Sequence, residues 1–180
     1  MHSKKPETDL RFNVAQLLRE EVGARRKYEF TEPRLKLDDT QTLRDLVGKV
    51  RFTRTPSGVL AAVEGTGVIE TECMRCLKPV ATQVSYPFRD EFHSRIDVST
   101  GAAMPVPLED DPFFIDEAHL IDLAEAIREY ALMALPMRPL CQPDCKGICA
   151  TCGVDRNTET CSCEDGPTDD RFAVLKTLLT

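Results

Sequence analysis

Eight cysteines in three tight groups constrain this chain more than any other feature. Cys73-Met-Arg-Cys76 comes first. The second group is Cys141-Gln-Pro-Asp-Cys145-Lys-Gly-Ile-Cys149-Ala-Thr-Cys152-Gly, and Cys161-Ser-Cys163 closes the set. No cysteine stands alone. Two thiolates two residues apart can bind one tetrahedral ion from a single tight turn, and four thiolates close its coordination shell. Eight sulfurs therefore suffice for two closed Zn2+ sites, which hold structure and leave no open position for substrate.

Three other chemistries use clustered cysteines. A disulfide framework suits a secreted chain, but the opening Met-His-Ser-Lys-Lys-Pro-Glu has no apolar stretch behind it. Neither a signal peptide nor a membrane anchor is expected, and no run is long enough to span a bilayer. The expected compartment is the cytoplasm, where thiols stay reduced and clustered cysteines read as metal ligands. A thioredoxin-like pair needs its first cysteine at a helix N-terminus. Here Val68-Ile69-Glu70-Thr71-Glu72 leads in like a strand, and Lys78-Pro79-Val80 follows. An iron–sulfur cluster also uses four cysteines. Zinc is favoured over all three.

The ligands divide most simply as four and four. Cys149, Cys152, Cys161 and Cys163 form a compact set whose short loop closes at little entropic cost, with turn formers Asp155-Arg156-Asn157 between. Cys141 and Cys145 are then left for Cys73 and Cys76, which ties the middle of the chain to its end. An alternative takes Cys145, Cys149, Cys152 and one of Cys161 or Cys163 as a single site. The first division leaves no thiol unpaired.

The remaining pattern suggests an α+β fold: an antiparallel β-meander or partly open barrel, a few helices and a C-terminal cysteine-rich zinc unit. The expected domains are 1–140, an α+β core carrying the first C-x-x-C hairpin, and 141–180, a zinc-binding segment packed on it. Asn13 is placed to cap a helix from Val14 to about Glu21, with Gly23 as its stop. The basic trio Arg25-Arg26-Lys27 follows directly, and Phe30 and Leu35/Leu37 suggest short extended pieces. Leu46 to Arg54 reads as a strand that alternates in its second half, Thr55-Pro56-Ser57-Gly58 signals a hairpin turn, and Val59 to Val63 returns. Glu64-Gly65-Thr66-Gly67 reads as a further turn. Val68 to Glu72 runs into Cys73-Met74-Arg75-Cys76, which falls at a hairpin tip as in a zinc knuckle. Val80 to about Phe92 reads as one long strand. Residues 94–112 read as an excursion without a motif. Asp122 is placed to cap a helix from Leu123 to about Leu135, ended by Pro136. Asp169 or Asp170 is placed to cap a final helix, Arg171 to Leu179.

Charge is unevenly spread. Residues 1–56 carry 13 Lys/Arg against 9 Asp/Glu, and residues 57–180 carry 10 against 21, within a net charge of −7. The first third can therefore meet a polyanion and the remainder a basic partner, although mixed solvated surface explains the pattern equally well.

The run Cys141-Gln-Pro-Asp-Cys145-Lys-Gly-Ile-Cys149-Ala-Thr-Cys152-Gly153, with Asn157, Cys161-Ser-Cys163 and Asp170-Arg171-Phe172-Ala173-Val174-Leu175-Lys176, resembles the YceD family of large ribosomal RNA subunit accumulation proteins. So do Cys73-Met-Arg-Cys76-Leu77, Pro56-Ser-Gly58 and Leu135-Pro136-x-x-Pro139-Leu140. The likeness touches most of residues 44–180. It implies an α+β fold and a part in the accumulation of large-subunit ribosomal RNA. It supplies no catalytic residue.

A non-catalytic, zinc-stabilised factor in large-subunit biogenesis is the expectation that follows. Its expected partners are a pre-ribosomal large-subunit particle, through ribosomal RNA, a basic ribosomal protein or both. Arg25, Arg26, Lys27 and Lys78 are the candidate contacts to RNA or partner. An enzyme is disfavoured: His2, His93 and His119 are scattered outside any ligand spacing, and no nucleophile elbow, P-loop or H-E-x-x-H is present. The competing expectation is a zinc- or redox-responsive adaptor whose thiolates release metal on oxidation.

Overall fold

A computed structural model describes residues 10–104 and 113–163. The chain divides into two compact units, Met1–Thr71 with Ala81–Met137, and Glu72–Val80 with Arg138–Thr180.

The first unit is built on one eight-stranded sheet. Its elements are β1 (Arg11–Asn13), α1 (Ala15–Leu18), β2 (Arg25–Lys36), β3 (Thr42–Arg54), β4 (Gly58–Glu72), β5 (Pro79–Ser85), β6 (Phe88–Ser94), β7 (Phe114–Ile115), β8 (Leu120–Asp122) and α2 (Ala124–Met133). The strand order is β1-β8-β7-β6-β4-β3-β2, with β5 also paired to β4. Along that order β6 and β7 run parallel, and every other neighbouring pair is antiparallel. β1 and β2 sit at opposite ends of this order, yet Phe12 of β1 lies 5.4 Å from Tyr28 of β2 and 5.5 Å from Phe52 of β3, between ring centroids. The sheet therefore curls until its ends meet through aromatic side chains. At this level the architecture is as expected: mostly β, a partial barrel, with few helices.

Alternation sets which face is covered. Val50, Phe52, Ala61, Val63, Phe88 and Phe92 are buried, while their chain neighbours are exposed or half-buried. Leu17 and Leu18 of α1 and Ala126, Ile127 and Ala131 of α2 join the same core. Burying one such large apolar side chain is worth about 1.5–3 kcal/mol. Asn13 and Asp122, expected as the N-caps, sit one residue ahead of the observed N-caps Val14 and Leu123, and each bonds the first helical N–H. Asn13 Oδ1 accepts from the Ala15 N–H at 3.0 Å, and Asp122 Oδ1 accepts from the Ala124 N–H at 2.9 Å. At the β3–β4 hairpin, Thr55 N–H donates to the Gly58 carbonyl at 3.0 Å.

Four sequence expectations need correction. Glu64–Gly67 is not a turn; β4 runs through it unbroken from Gly58 to Glu72. Its glycines make room for rings and side chains laid across the strand. A Cβ on Gly65 would stand 2.3 Å from the Tyr86 ring, and one on Gly67 would stand 2.7 Å from Leu43 Cδ1. Glycine inside a strand marks such a close approach as readily as a break. Residues 80–92 form two strands rather than one, separated at Tyr86-Pro87. The first helix is a single turn, and Arg25–Lys27 belong to β2, a 12-residue strand that replaces the short extended pieces. The expected final helix, Arg171 to Leu179, lies outside the described residues, as does much of 94–112. Within the described part of that excursion Ile96 and Ala103 form a bridge.

Candidate metal centre

Both cysteine sets fall in the second unit. Cys73-Met74-Arg75-Cys76 forms the tip between β4 and β5. Cys73 N–H donates to the Lys78 carbonyl and Leu77 N–H to the Cys73 carbonyl, each at 2.9 Å. Leu77 takes φ 60 to close this turn. Left-handed backbone is unusual for a branched residue and marks a tightly specified loop. The tip is held against the second cysteine segment by main-chain bonds: Met74 N–H to the Pro139 carbonyl at 2.9 Å and Ile148 N–H to the Arg75 carbonyl at 3.0 Å. Gly147, at φ 74, passes so close to Arg75 that a Cβ would lie 2.9 Å from the Arg75 carbonyl oxygen.

These bonds bring four sulfurs together from two distant stretches of chain. Cys73, Cys76, Cys141 and Cys145 place their Sγ atoms within 4.8 Å of one another. Cys73 and Cys145 sulfurs are 3.8 Å apart, and those of Cys76 and Cys141 are 3.5 Å apart. Cys149, Cys152, Cys161 and Cys163 form a second set under the same 4.8 Å limit. There the Cys152–Cys161 separation is 3.6 Å and the Cys149–Cys161 separation is 3.3 Å. None of the eight is in a disulfide. Four thiolates around one ion at a metal–sulfur distance of about 2.3 Å have tetrahedral edges of about 3.8 Å. Both sets match that size, so each can hold a single metal ion. A polynuclear cluster needs space between the thiolates for its own atoms, and these sulfurs leave little.

The surroundings favour thiolate. Burial opposes charge at Cys73, but the N–H groups of Cys76, Arg75 and Cys141, with the Cys76 thiol, bring its pKa down to about 6. At Cys149 the N–H groups of Cys152 and Thr151, the Cys161 thiol and the Arg156 guanidinium bring it down to about 5. Cys141 is pushed up to about 12 by Cys145 and Cys76, and Cys163 to about 12 by Cys161 and Cys152. A lowered thiol beside a raised one, Cys73 with Cys141 and Cys149 with Cys163, is donor chemistry that a cation can complete, because metal binding displaces the remaining protons.

A layer of polar side chains supports the sulfurs, and sequence reasoning missed it. Arg75 Nη1 donates to the Cys145 carbonyl at 2.7 Å, and Arg156 Nη2 lies 3.6 Å from Cys149 Sγ. Asn157 Nδ2 donates toward Cys145 Sγ at 3.4 Å and to Asp155 Oδ1 at 2.6 Å. Its Oδ1 accepts from Lys146 N–H at 2.8 Å. Asp155-Arg156-Asn157 reads in the sequence only as turn formers.

The other expected contact residues are placed as follows. In the second unit Lys78 pairs with Asp155. That contact holds the Asp155 carboxyl down to about 2, helped by the Asn157 N–H. In the first unit Arg25 and Lys27 are exposed, whereas Arg26 turns to the other side of β2 and pairs with Glu20.

A family model described as large ribosomal RNA subunit accumulation protein YceD matches residues 62–179, which takes in all eight cysteines. The chain belongs to the YceD family. An uncharacterized protein of Mycobacterium tuberculosis is 34% identical over 114 residues, covering 61% of this chain and 51% of that protein. An uncharacterized protein of Mycobacterium leprae is 31% identical over 105 residues, covering 58% of this chain and 46% of that protein. A Zea mays protein named large ribosomal RNA subunit accumulation protein YCED homolog 1, chloroplastic, is 27% identical over 120 residues, covering 54% of this chain and 41% of that protein. The chain thus spans about half the length of the curated relatives it matches. No solved structure matches. Among the described residues of this YceD-family chain, no helix is long and apolar enough to cross a membrane.

Proposed function

We propose that this protein is a non-catalytic, zinc-binding factor in large ribosomal subunit biogenesis, which supports the accumulation of large-subunit ribosomal RNA in the cytoplasm. Its membership of a family described by that role carries the proposal. Two sets of four mutually close sulfurs support zinc as the resident ion, with Cys73, Cys76, Cys141 and Cys145 holding one and Cys149, Cys152, Cys161 and Cys163 the other. A closed four-sulfur shell suits a structural role, because a catalytic zinc keeps a position for water. The expected partner is a pre-ribosomal large-subunit particle, met through ribosomal RNA, a basic ribosomal protein or both. Arg25, Lys27 and, less directly, the paired Arg26 and Lys78 remain the proposed contacts.

Deleting the gene tests this reading. The ratio of large- to small-subunit ribosomal RNA should fall, and the tagged protein should co-sediment with large-subunit precursors. An unchanged ratio in the deletion strain sinks the proposal.

One observation favours the redox-responsive alternative: Cys141 and Cys152 are exposed, so an oxidant can reach one sulfur of each set. Thiolate reactivity follows such exposure. Zinc release at mild peroxide levels that leave growth unaffected would favour the adaptor. Retention under those conditions favours the structural role.

A further inference from the structure

A row of cations crosses four strands of the sheet in the first unit. Lys27 on β2 stands opposite Arg51 on β3, Arg51 opposite Ala62 on β4, and Ala62 opposite Arg89 on β6. Directly opposed residues point to the same face of a sheet. The alternate positions Val50, Phe52, Ala61, Val63 and Phe88 are buried in the core, so this row faces outward, and Lys27, Arg51 and Arg89 are exposed.

The row breaks a rule that its neighbours obey. Like charges placed directly opposite each other destabilise a sheet. One rung along, Glu29, Lys49 and Glu64 alternate in sign across the same three strands. Farther along β3, Arg44 pairs with Glu70. On the other flank the rung is Arg25, Thr53, Leu60 and Glu91, and the Glu91 carboxylate accepts from the Thr55 and Ser57 hydroxyls. Lys27, Arg51 and Arg89 have no ion-pair partner among the described residues. A local rule broken without a structural return is expected at functional sites.

The short Ala62 side chain lowers the floor between Arg51 and Arg89. The result is a depression of about 740 Å³ whose walls include four cations, Lys27, Lys49, Arg51 and Arg89, and two carboxylates, Glu29 and Glu64. At about 4.8 Å per strand the row is about 14 Å long.

We infer that the outward row Lys27–Arg51–Ala62–Arg89, flanked by Lys49, is a binding track for the phosphate backbone of RNA. The choice of RNA as the polyanion rests on the function proposed above. The row and both flanking rungs carry no aromatic side chain, and the cations that line the depression grip phosphates. Its binding is therefore insensitive to sequence and sensitive to salt. Three of the four cations lie outside the basic trio of residues 25–27, which is why the track is not legible as a charge run.

The test uses the purified full chain and a fluorescein-labelled single-stranded RNA of about 20 nucleotides, longer than one binding track needs. Anisotropy is read at a series of salt concentrations. Combining Lys27→Ala, Arg51→Ala and Arg89→Ala should weaken binding by ~10-fold or more. The slope of log affinity against log salt should become shallower by about 2, at ~0.7 for each phosphate no longer neutralised. Glu64→Lys, on the same face, should tighten binding, a gain that misfolding cannot mimic. No binding by the native chain, an unchanged affinity in the triple variant, or no gain with Glu64→Lys overturns the track. Binding of polyglutamate in preference to RNA also overturns it and assigns the face to an acidic protein. If the triple variant restores ribosomal RNA levels in a deletion strain as well as the native gene does, the track fails while the proposed function stands. If deletion leaves those levels unchanged, the proposed function fails whatever this face binds.

Discussion

Asn157, in the turn between Cys152 and Cys161, aims its side-chain amide at the sulfur of Cys145 in the other cysteine set, 3.4 Å away. The same side chain accepts from Lys146 N–H and donates to Asp155, and Asp155 pairs with Lys78 beside Cys76. The two sets therefore share one bed of polar contacts and are not independent modules.

A residue that ligates nothing should consequently weaken metal binding at both sets. Outer-shell partners of metal ligands typically cost 10–100-fold in affinity when removed. Asn157→Leu is expected to lower the affinity of the Cys73/Cys76/Cys141/Cys145 set by ~10-fold or more, although the substitution lies in the other loop. Competition with a chromophoric chelator measures it. A loss confined to the Cys149/Cys152/Cys161/Cys163 set would show that the bed is not shared.

The Lys78–Asp155 pair has a defined pH window. Asp155 is lowered from 3.8 to about 2, so its contribution is complete above its ordinary value and is lost as pH falls through about 2. Lys78 is raised above 10.5, chiefly by Asp155, so its contribution is complete below that value and is lost only as pH rises beyond it. Asp155→Asn should therefore lower the melting temperature of the zinc-loaded chain by the same amount from about pH 5 to about pH 9. Melting curves across that range in excess zinc check the prediction. A difference that changes steadily with pH inside the window would mean that another group titrates with the pair.

Much of this arrangement is legible in the sequence because paired cysteines announce themselves by spacing. The compact Cys149/Cys152/Cys161/Cys163 set, the hairpin tip at Cys73–Cys76 and the helix-start bonds of Asn13 and Asp122 each depend on residues close together in the chain, and the other four cysteines follow by leaving no thiol over. The features that escape are set by tertiary neighbours. Gly65 and Gly67 look like a turn until Tyr86 and Leu43 are seen lying across them. Asn157 looks like a turn former until Cys145 is beside it. Arg51 and Arg89 carry no local signal, because strand register alone aligns them with Lys27.

Cys73→Ser should damage the protein more than Cys161→Ser. The first set joins a hairpin to the segment after α2, across a loop of about 64 residues, whereas the second closes a local one. The dependence on loop length is logarithmic, so a modest difference in melting temperature is expected in this order. Cys73 is also wholly buried, with Cys76, Cys145, Val80 and Leu140 around it, so a hydroxyl there is desolvated as well. Thermal melts in the reverse order would contradict the ligand pairing.

Gly65→Ala should destabilise the sheet. The added Cβ would stand 2.3 Å from the Tyr86 ring, which is itself among the largest fully buried side chains and has little room to retreat. Overpacking of this kind costs about 1–3 kcal/mol. Chemical denaturation of the Gly65→Ala chain measures it. Combining it with Tyr86→Leu should recover part of the loss, and no recovery would locate the strain elsewhere.

Elemental analysis of the purified full chain tests the central claim most directly. Two closed sets of four thiolates call for two zinc ions per chain, and Cys149→Ser with Cys152→Ser should leave one ion and a folded sheet in the first unit. One ion in the native chain, none, or iron with visible absorbance would contradict the assignment of two zinc sites.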